Sequence, residues 1–135
     1  MRNRITGAVS CLIDTDVIID FLRGQIYARE LLERWITRGL LAVSVIAHLE
    51  LYQGMKASEE QATNDFLDGL LAIPVDVTIA RSAGRLLKNL RVKGITIGMA
   101  DAIVAATAIE LDVPLVTNNI DHYPFSDLNL IRGLG

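Results

Sequence analysis

Short apolar runs alternate with amphipathic stretches along the chain. Val9 to Ile13 is a compact apolar run closed by Asp14, the pattern of a strand buried on both faces. Asp14-Thr15 then caps a predicted helix through Val17, Ile18, Phe21 and Leu22, with Gly24 as its stop. Leu31, Leu32, Trp35 and Ile36 fall at helical spacing in a helix predicted from Ala28 to Arg38 and ended by Gly39. Leu40 to Val43 reads as a second strand, and Ser44 caps the helix that follows it to Gly54. Further helices are predicted near Ser58–Leu71 and Thr78–Val92, with a short strand from Leu71 to Val77 between them. The alanine-rich stretch Ala100 to Leu111 sets Ile103, Val104, Thr107 and Leu111 at helical spacing. Pro114 to Thr117 reads as the fourth strand and Leu128 to Ile131 as the last. Strands separated by helices need crossover connections. The pattern therefore predicts an α/β fold, a mostly parallel sheet covered by helices, with ligands outside the carboxyl ends of the strands.

Composition narrows the class. The chain has 135 residues, of which 51% are hydrophobic and 5% aromatic. That excludes a disordered chain and suits one domain over residues 1–135, without linker, repeat or low-complexity tract. The three prolines (Pro74, Pro114 and Pro124) lie beside apolar runs, as turn punctuation does. Cys11 is the single cysteine, so no disulfide framework forms within one chain, and a buried inert thiol is expected. Arg2 and Arg4 are not followed by the apolar stretch of a secretory leader. No run approaches the ~18 apolar residues of a membrane span, so a cytoplasmic protein is expected. Thirteen Lys+Arg stand against 16 Asp+Glu, a net charge of −3, which at first sight argues against a nucleic-acid partner.

The placement of the acids changes that picture. Asp14 ends the first predicted strand. Glu50 lies between Leu49 and Leu51 in the helix after the second. Asp101 is in the first turn of the alanine-rich helix, and Asp121 follows Thr117-Asn118-Asn119 after the fourth strand. None of these acids is local to another, yet a parallel sheet gathers strand ends and helix starts at one rim. Clustered carboxylates do not ionise together without compensation, and a hard divalent cation with oxygen ligands supplies it. Such a cation activates water and stabilises a phosphodiester transition state. With no second Cys and no clustered His, the donor set points to phosphate chemistry rather than zinc chemistry. Each acid also has a plain structural reading: Asp14 or Asp16 as a helix cap, Asp101 as a first-turn acid, Glu50 as a solvated position, Asp121 as turn chemistry. Their joint order on strand ends outweighs the separate readings.

Four segments carry a family resemblance. They are Leu12-Ile13-Asp14-Thr15-Asp16-Val17-Ile18-Ile19-Asp20, Ser44-Val45-Ile46 through Glu50-Leu51-Tyr52-Gln53-Gly54, Ala100-Asp101-Ala102-Ile103-Val104-Ala105-Ala106-Thr107-Ala108, and Leu115-Val116-Thr117-Asn118-Asn119. In this order they resemble the signature segments of PIN-domain ribonucleases, and most closely the VapC-type toxins of bacterial toxin–antitoxin pairs. The resemblance covers nearly the whole chain. It implies a three-layer α/β/α sandwich with a mostly parallel central sheet and Mg²⁺-dependent endoribonuclease activity, with Mn²⁺ as a substitute. It also implies an RNA substrate, a small antitoxin that blocks the site, and a homodimer. Carried over by position, Asp14, Glu50 and Asp101 match the family's three firm acids. Asn119 stands where many members have an acid, Asp121 lies two residues on, and Thr117 matches the usual hydroxyl. The implied metal ligands are Asp14, Glu50, Asp101 and Asp121, with Asn119 and Thr117 completing the site. Two alternatives stay open: an RNA-processing nuclease of the same type without an antitoxin, and a catalytically inactive RNA- or protein-binding domain.

Other signals are weaker. His48 and His122 lack ligand-spaced partners and read as ordinary hydrogen-bonding residues. Asp14-Thr15-Asp16 resembles a haloacid-dehalogenase nucleophile motif, but Ile18 stands where that motif needs threonine. No glycine-rich phosphate loop with Lys-Ser/Thr is present. Arg81, Arg85 and Lys88 share a predicted helix face with Arg91 and Lys93 beyond, either a solvated face or an RNA-backbone track. Arg23 is near Asp14 in sequence and within reach of a phosphate. With four acids assigned to one metal pocket, the rest of the chain is nearly neutral and RNA is not excluded.

Overall fold

A computed structural model describes residues 8–133, which leaves Arg2 and Arg4 outside the described residues. Five strands form one sheet: β1 (Val9–Ile13), β2 (Leu40–Ser44), β3 (Leu71–Ile73), β4 (Leu115–Thr117) and β5 (Leu130–Arg132). Six α-helices with described bounds accompany them: α1 (Thr15–Leu22), α2 (Ile26–Ile36), α3 (Val45–Gly54), α4 (Glu60–Asp68), α5 (Val77–Val92) and α6 (Met99–Leu111). The sheet order is β3-β2-β1-β4-β5, and every pairing is parallel. The sheet expected to be mostly parallel is thus wholly so among the described residues. None of the described helices is long and apolar enough to cross a membrane.

Helices cover both faces, which explains why the strands read as continuous apolar runs. Successive side chains of a strand point to opposite faces. Leu12, Ala42 and Leu115 accordingly pack with α5 and α6, through residues such as Ile79, Ala83, Ala102 and Ala105. Cys11, Ile13, Leu41, Val43 and Val116 pack on the other side with Val17, Leu31, Trp35, Ala47 and Leu67 of α1 to α4. Val9 breaks the alternation by joining Leu12 rather than Cys11, because the β1–β2 register shifts between Val9 and Cys11. Cys11 is buried as expected, and burial pushes its thiol up to about 11, so it is inert.

The local signals are used as the sequence suggests, with shifted ends. Ser44 caps α3 through a 3.1 Å bond from the Ile46 N–H. The helix predicted from Ala28 to Arg38 runs from Ile26 to Ile36, and the final strand moves from 128–131 to 130–132. The helix predicted near Ser58–Leu71 splits into a 3₁₀ turn (Ala57–Glu59) and α4. The third strand stops at Ile73 rather than Val77. Pro74 has no N–H for a ladder, and Asp76 turns away to cap α5 by accepting from the Ile79 N–H at 2.8 Å.

Because all strands run the same way, their carboxyl ends share one rim. The chain moves outward from β1 through β2 to β3, then returns to place β4 on the other side of β1. This switch point lies between β1 and β4, where a parallel sheet opens a crevice at its carboxyl edge. Asp14 follows β1 there, and Thr117 ends β4 there.

Candidate active site

Asp14 leaves β1 and becomes the N-cap of α1. Its backbone N–H extends the sheet by donating to the Val116 carbonyl at 2.9 Å. Its carboxylate is 7% exposed and accepts three bonds: the Thr15 N–H on Oδ1 at 2.8 Å, and the hydroxyls of Thr117 and Tyr123 on Oδ2 at 2.8 and 2.7 Å. The cap reading of Asp14 holds on Oδ1, while Oδ2 accepts the two hydroxyls.

Asp101 enters from the first turn of α6. Its Oδ1 lies 3.4 Å from the Tyr123 hydroxyl, and its Oδ2 lies 3.5 Å from His122 Nδ1. Tyr123 thus stands between two acids that are far apart in sequence. Burial, and secondarily the Asp14 charge, hold its phenol well above the ordinary tyrosine range. Burial also raises the Asp101 carboxyl, against the lowering effect of His122, while Asp14 adds to the rise.

Glu50 joins through a different neighbour. The Thr15 hydroxyl donates to Glu50 Oε1 at 2.6 Å, tying the middle of α3 to the residue after Asp14. Beside Glu50 a cleft of about 410 Å³ is lined by Ile19, Leu22, Leu51 and Met55, with Arg23 and Glu59 also on its wall.

Asp16 links the neighbouring loop. It accepts the Val17 N–H on Oδ1 and the Asn118 N–H on Oδ2, both at 2.8 Å. Burial first, then the Asp14 charge, push its carboxyl up to about 6. Asn118 extends the link by donating its amide to Asp20 and to the Tyr27 hydroxyl, while Tyr27 donates to Asp20. Gly133 passes directly over this cluster, where a Cβ would collide with Asn118 Oδ1.

The structure therefore brings together Asp14, Thr117 and Asp101, with Glu50 one hydrogen bond away through Thr15. It does not bring Asn119 and Asp121 into the same bonds. Their side chains are exposed on the loop after β4, and among the described residues neither makes a hydrogen bond or ion pair. Asn119 contributes backbone instead, its N–H donating to Thr117 Oγ1 at 3.0 Å. His122, read from the sequence as an ordinary residue, approaches Asp101. The sequence gives no sign that the Tyr123 and Thr15 hydroxyls bond these acids. Their partners are distant in the chain, and a lone tyrosine or threonine carries no spacing signal.

Asp14 at the start of α1 and Asp101 in the first turn of α6 thus meet at the switch point of a parallel α/β sheet, the place where such folds bind their ligands. The PIN domain family profile matches residues 11–128 of the chain. The chain is 37% identical over 113 residues to ribonuclease VapC10 of Mycobacterium tuberculosis, covering 84% of this chain and 85% of that one. It is 39% identical over 119 residues to ribonuclease VapC19 of the same organism, covering 87% and 95%. A chain in the solved structure of VapBC2 from Rickettsia felis, bound to a DNA fragment from their promoter, superposes with a TM-score of 0.81 at 26% identity, covering 92% and 98%. The chain belongs to the PIN-domain family, among the VapC ribonucleases.

PIN-domain ribonucleases generally use a divalent metal. Among the described residues no three His, Cys, Asp or Glu side chains converge into a ready-made cage. The donors fit a different arrangement. Asp14 and Asp101 flank one hydroxyl, all donors are oxygen, and a small hard cation needs only one or two carboxylates when water and substrate phosphate complete its shell.

Proposed function

We propose that the protein is a divalent-metal-dependent endoribonuclease, the toxin of a toxin–antitoxin pair, acting in the cytoplasm. The observation that carries this reading is the convergence of Asp14 and Asp101 on one buried hydroxyl at the β1/β4 switch point, in a chain of the VapC family. The all-oxygen donor set favours Mg²⁺, with Mn²⁺ as a substitute. When bound, the cation supplies Lewis-acid stabilisation of the phosphate and a more acidic water.

The side chains divide the remaining work. Asp14 and Asp101 hold the cation. Thr117 fixes the orientation of Asp14. Glu50, steadied by Thr15, orients the attacking water. Asp121 and Asn119, exposed beside the site, complete its outer shell or meet the RNA strand.

Partners follow from surfaces. The solved relative VapBC2 is a complex, and the apolar cleft beside Glu50 gives an antitoxin segment a seat from which to close the site. The outer face of α3 exposes Val45, Leu49 and Tyr52, a surface for a second copy of the chain.

Cleavage of RNA by the purified protein tests the activity. RNA ends generated with Mg²⁺ are expected to vanish with EDTA and in Asp14→Asn and Asp101→Asn, each with a loss of about a thousandfold or more. Unchanged cleavage in both variants would exclude the reading. In cells, identical RNA ends and equal growth on inducing wild type and Asp101→Asn would remove the toxin role.

A further inference from the structure

We propose that Tyr123 is a positioning residue for the cation, a rigid phenol strut that spaces Asp14 from Asp101 and leaves one oxygen of Asp14 turned to the metal. This role presupposes the metal-dependent nuclease reading and adds a residue to it.

Tyr123 is 2% exposed, although His122 and Pro124 on either side of it are exposed. Its ring is fixed in the core with Ala102, Ala105, Leu115 and Leu128. A buried phenol needs a partner for its hydroxyl. This one has two carboxylates in reach, Asp14 Oδ2 at 2.7 Å and Asp101 Oδ1 at 3.4 Å. A hydroxyl carries one proton, and the shorter contact draws it most, so Tyr123 donates chiefly to Asp14.

The acceptor positions then decide which atoms are left. A carboxylate offers about four lone-pair directions. On Asp14, Thr117 and Tyr123 occupy both on Oδ2, and the Thr15 N–H occupies one on Oδ1. A single direction remains, on Oδ1. On the Asp101 side the 3.4 Å contact is the longer and weaker of the two, so Oδ1 of Asp101 keeps acceptor capacity for a cation. Tyr123 thus sets both the gap and the orientation of the pair, without itself being a ligand.

Tyr123→Phe removes the oxygen and keeps the ring. Mn²⁺ binding followed by electron paramagnetic resonance should weaken by about 10–100-fold, the usual effect of losing a partner of a metal ligand. Excess Mn²⁺ should restore kcat toward wild type, with KM for RNA unchanged at saturating metal. A folded Tyr123→Phe whose Mn²⁺ affinity lies within twofold of wild type would overturn this role alone. Wild type that binds no Mn²⁺, or Asp14→Asn and Asp101→Asn that bind it like wild type, would overturn the nuclease reading with it. Should the phenylalanine variant not fold, 3-fluorotyrosine placed at position 123 gives a second measurement. Its fluorine resonance should shift on Mg²⁺ addition with the half-saturation of metal binding, and a resonance that stays put would sink the proposal.

Discussion

Asp14 closes β1, caps α1 and binds the hydroxyls of Thr117 and Tyr123 with the same carboxylate. It can do all three because its two oxygens are committed to different donors, Thr15 on one side and Thr117 with Tyr123 on the other. Gly39 shows the same economy in backbone terms. It has φ of +155°, and a Cβ on it would lie 2.5 Å from the Ala8 carbonyl oxygen and 3.3 Å from the Ser10 nitrogen. Only glycine accepts both the dihedral and the approach that start β2 beside the irregular stretch of β1. Gly39→Ala should therefore lower stability by about 2 kcal/mol, an unfolding midpoint drop of roughly 5–10 °C in a thermal melt. An unchanged midpoint would show that β1 and β2 relax around the methyl.

Among the elements, α5 is the most one-sided in charge. Its buried residues Ile79, Ser82, Ala83 and Leu90 face the core, while Arg81, Arg85, Lys88 and Arg91 are exposed, with Lys93 just past its end. Residues 77–93 contain no acid, and among the described residues none of these cations pairs with a carboxylate. The helix leads through a short connection into α6, whose first turn holds Asp101. A solvated face and an RNA-backbone track differ in salt dependence. If RNA phosphates lie on α5, changing Arg85 and Lys88 to Gln in an Asp101→Asn background should reduce the slope of log K against log[salt] by about 1.4, at ~0.7 per contact on a single strand. An unaltered slope would return α5 to a solvated role.

At the scale of the whole molecule, acids brought together by the fold make stability depend on pH and metal. The Asp16 carboxyl rises from its ordinary 3.8 to about 6. Between those values the folded protein holds more protons than the unfolded chain. The stability linked to this group is thus full below about pH 4 and lost as pH rises through 6. Asp101 is shifted in the same direction. A divalent cation competes with protons for such carboxylates and stabilises the folded state most where they are ionised. Calorimetry should show a metal-free midpoint falling from pH 5 to pH 7, and a Mg²⁺-induced rise larger at pH 7 than at pH 5. Asp16→Asn should flatten the metal-free fall. A Mg²⁺ effect equal at both pH values would contradict this coupling.

The sequence by itself determined the elements and their kind, because periodicity, caps and stops act over a few residues. Val9 to Ile13 is apolar on both faces, Ser44 and Asp14 cap, and Ala102, Ala105 and Ala106 let α6 pack closely. The order of acids along the chain likewise marked Asp14, Glu50 and Asp101. Only the tertiary structure decided that β4 lies beside β1, and with it that Thr117 meets Asp14 across 103 positions of chain and Tyr123 across 109. It also decided that Thr15 holds Glu50, that His122 approaches Asp101, and that Asn119 and Asp121 stay outside those bonds. Strand order is set by distant apolar runs competing for one core. A hydrogen bond closed over a hundred residues leaves no mark in the local pattern.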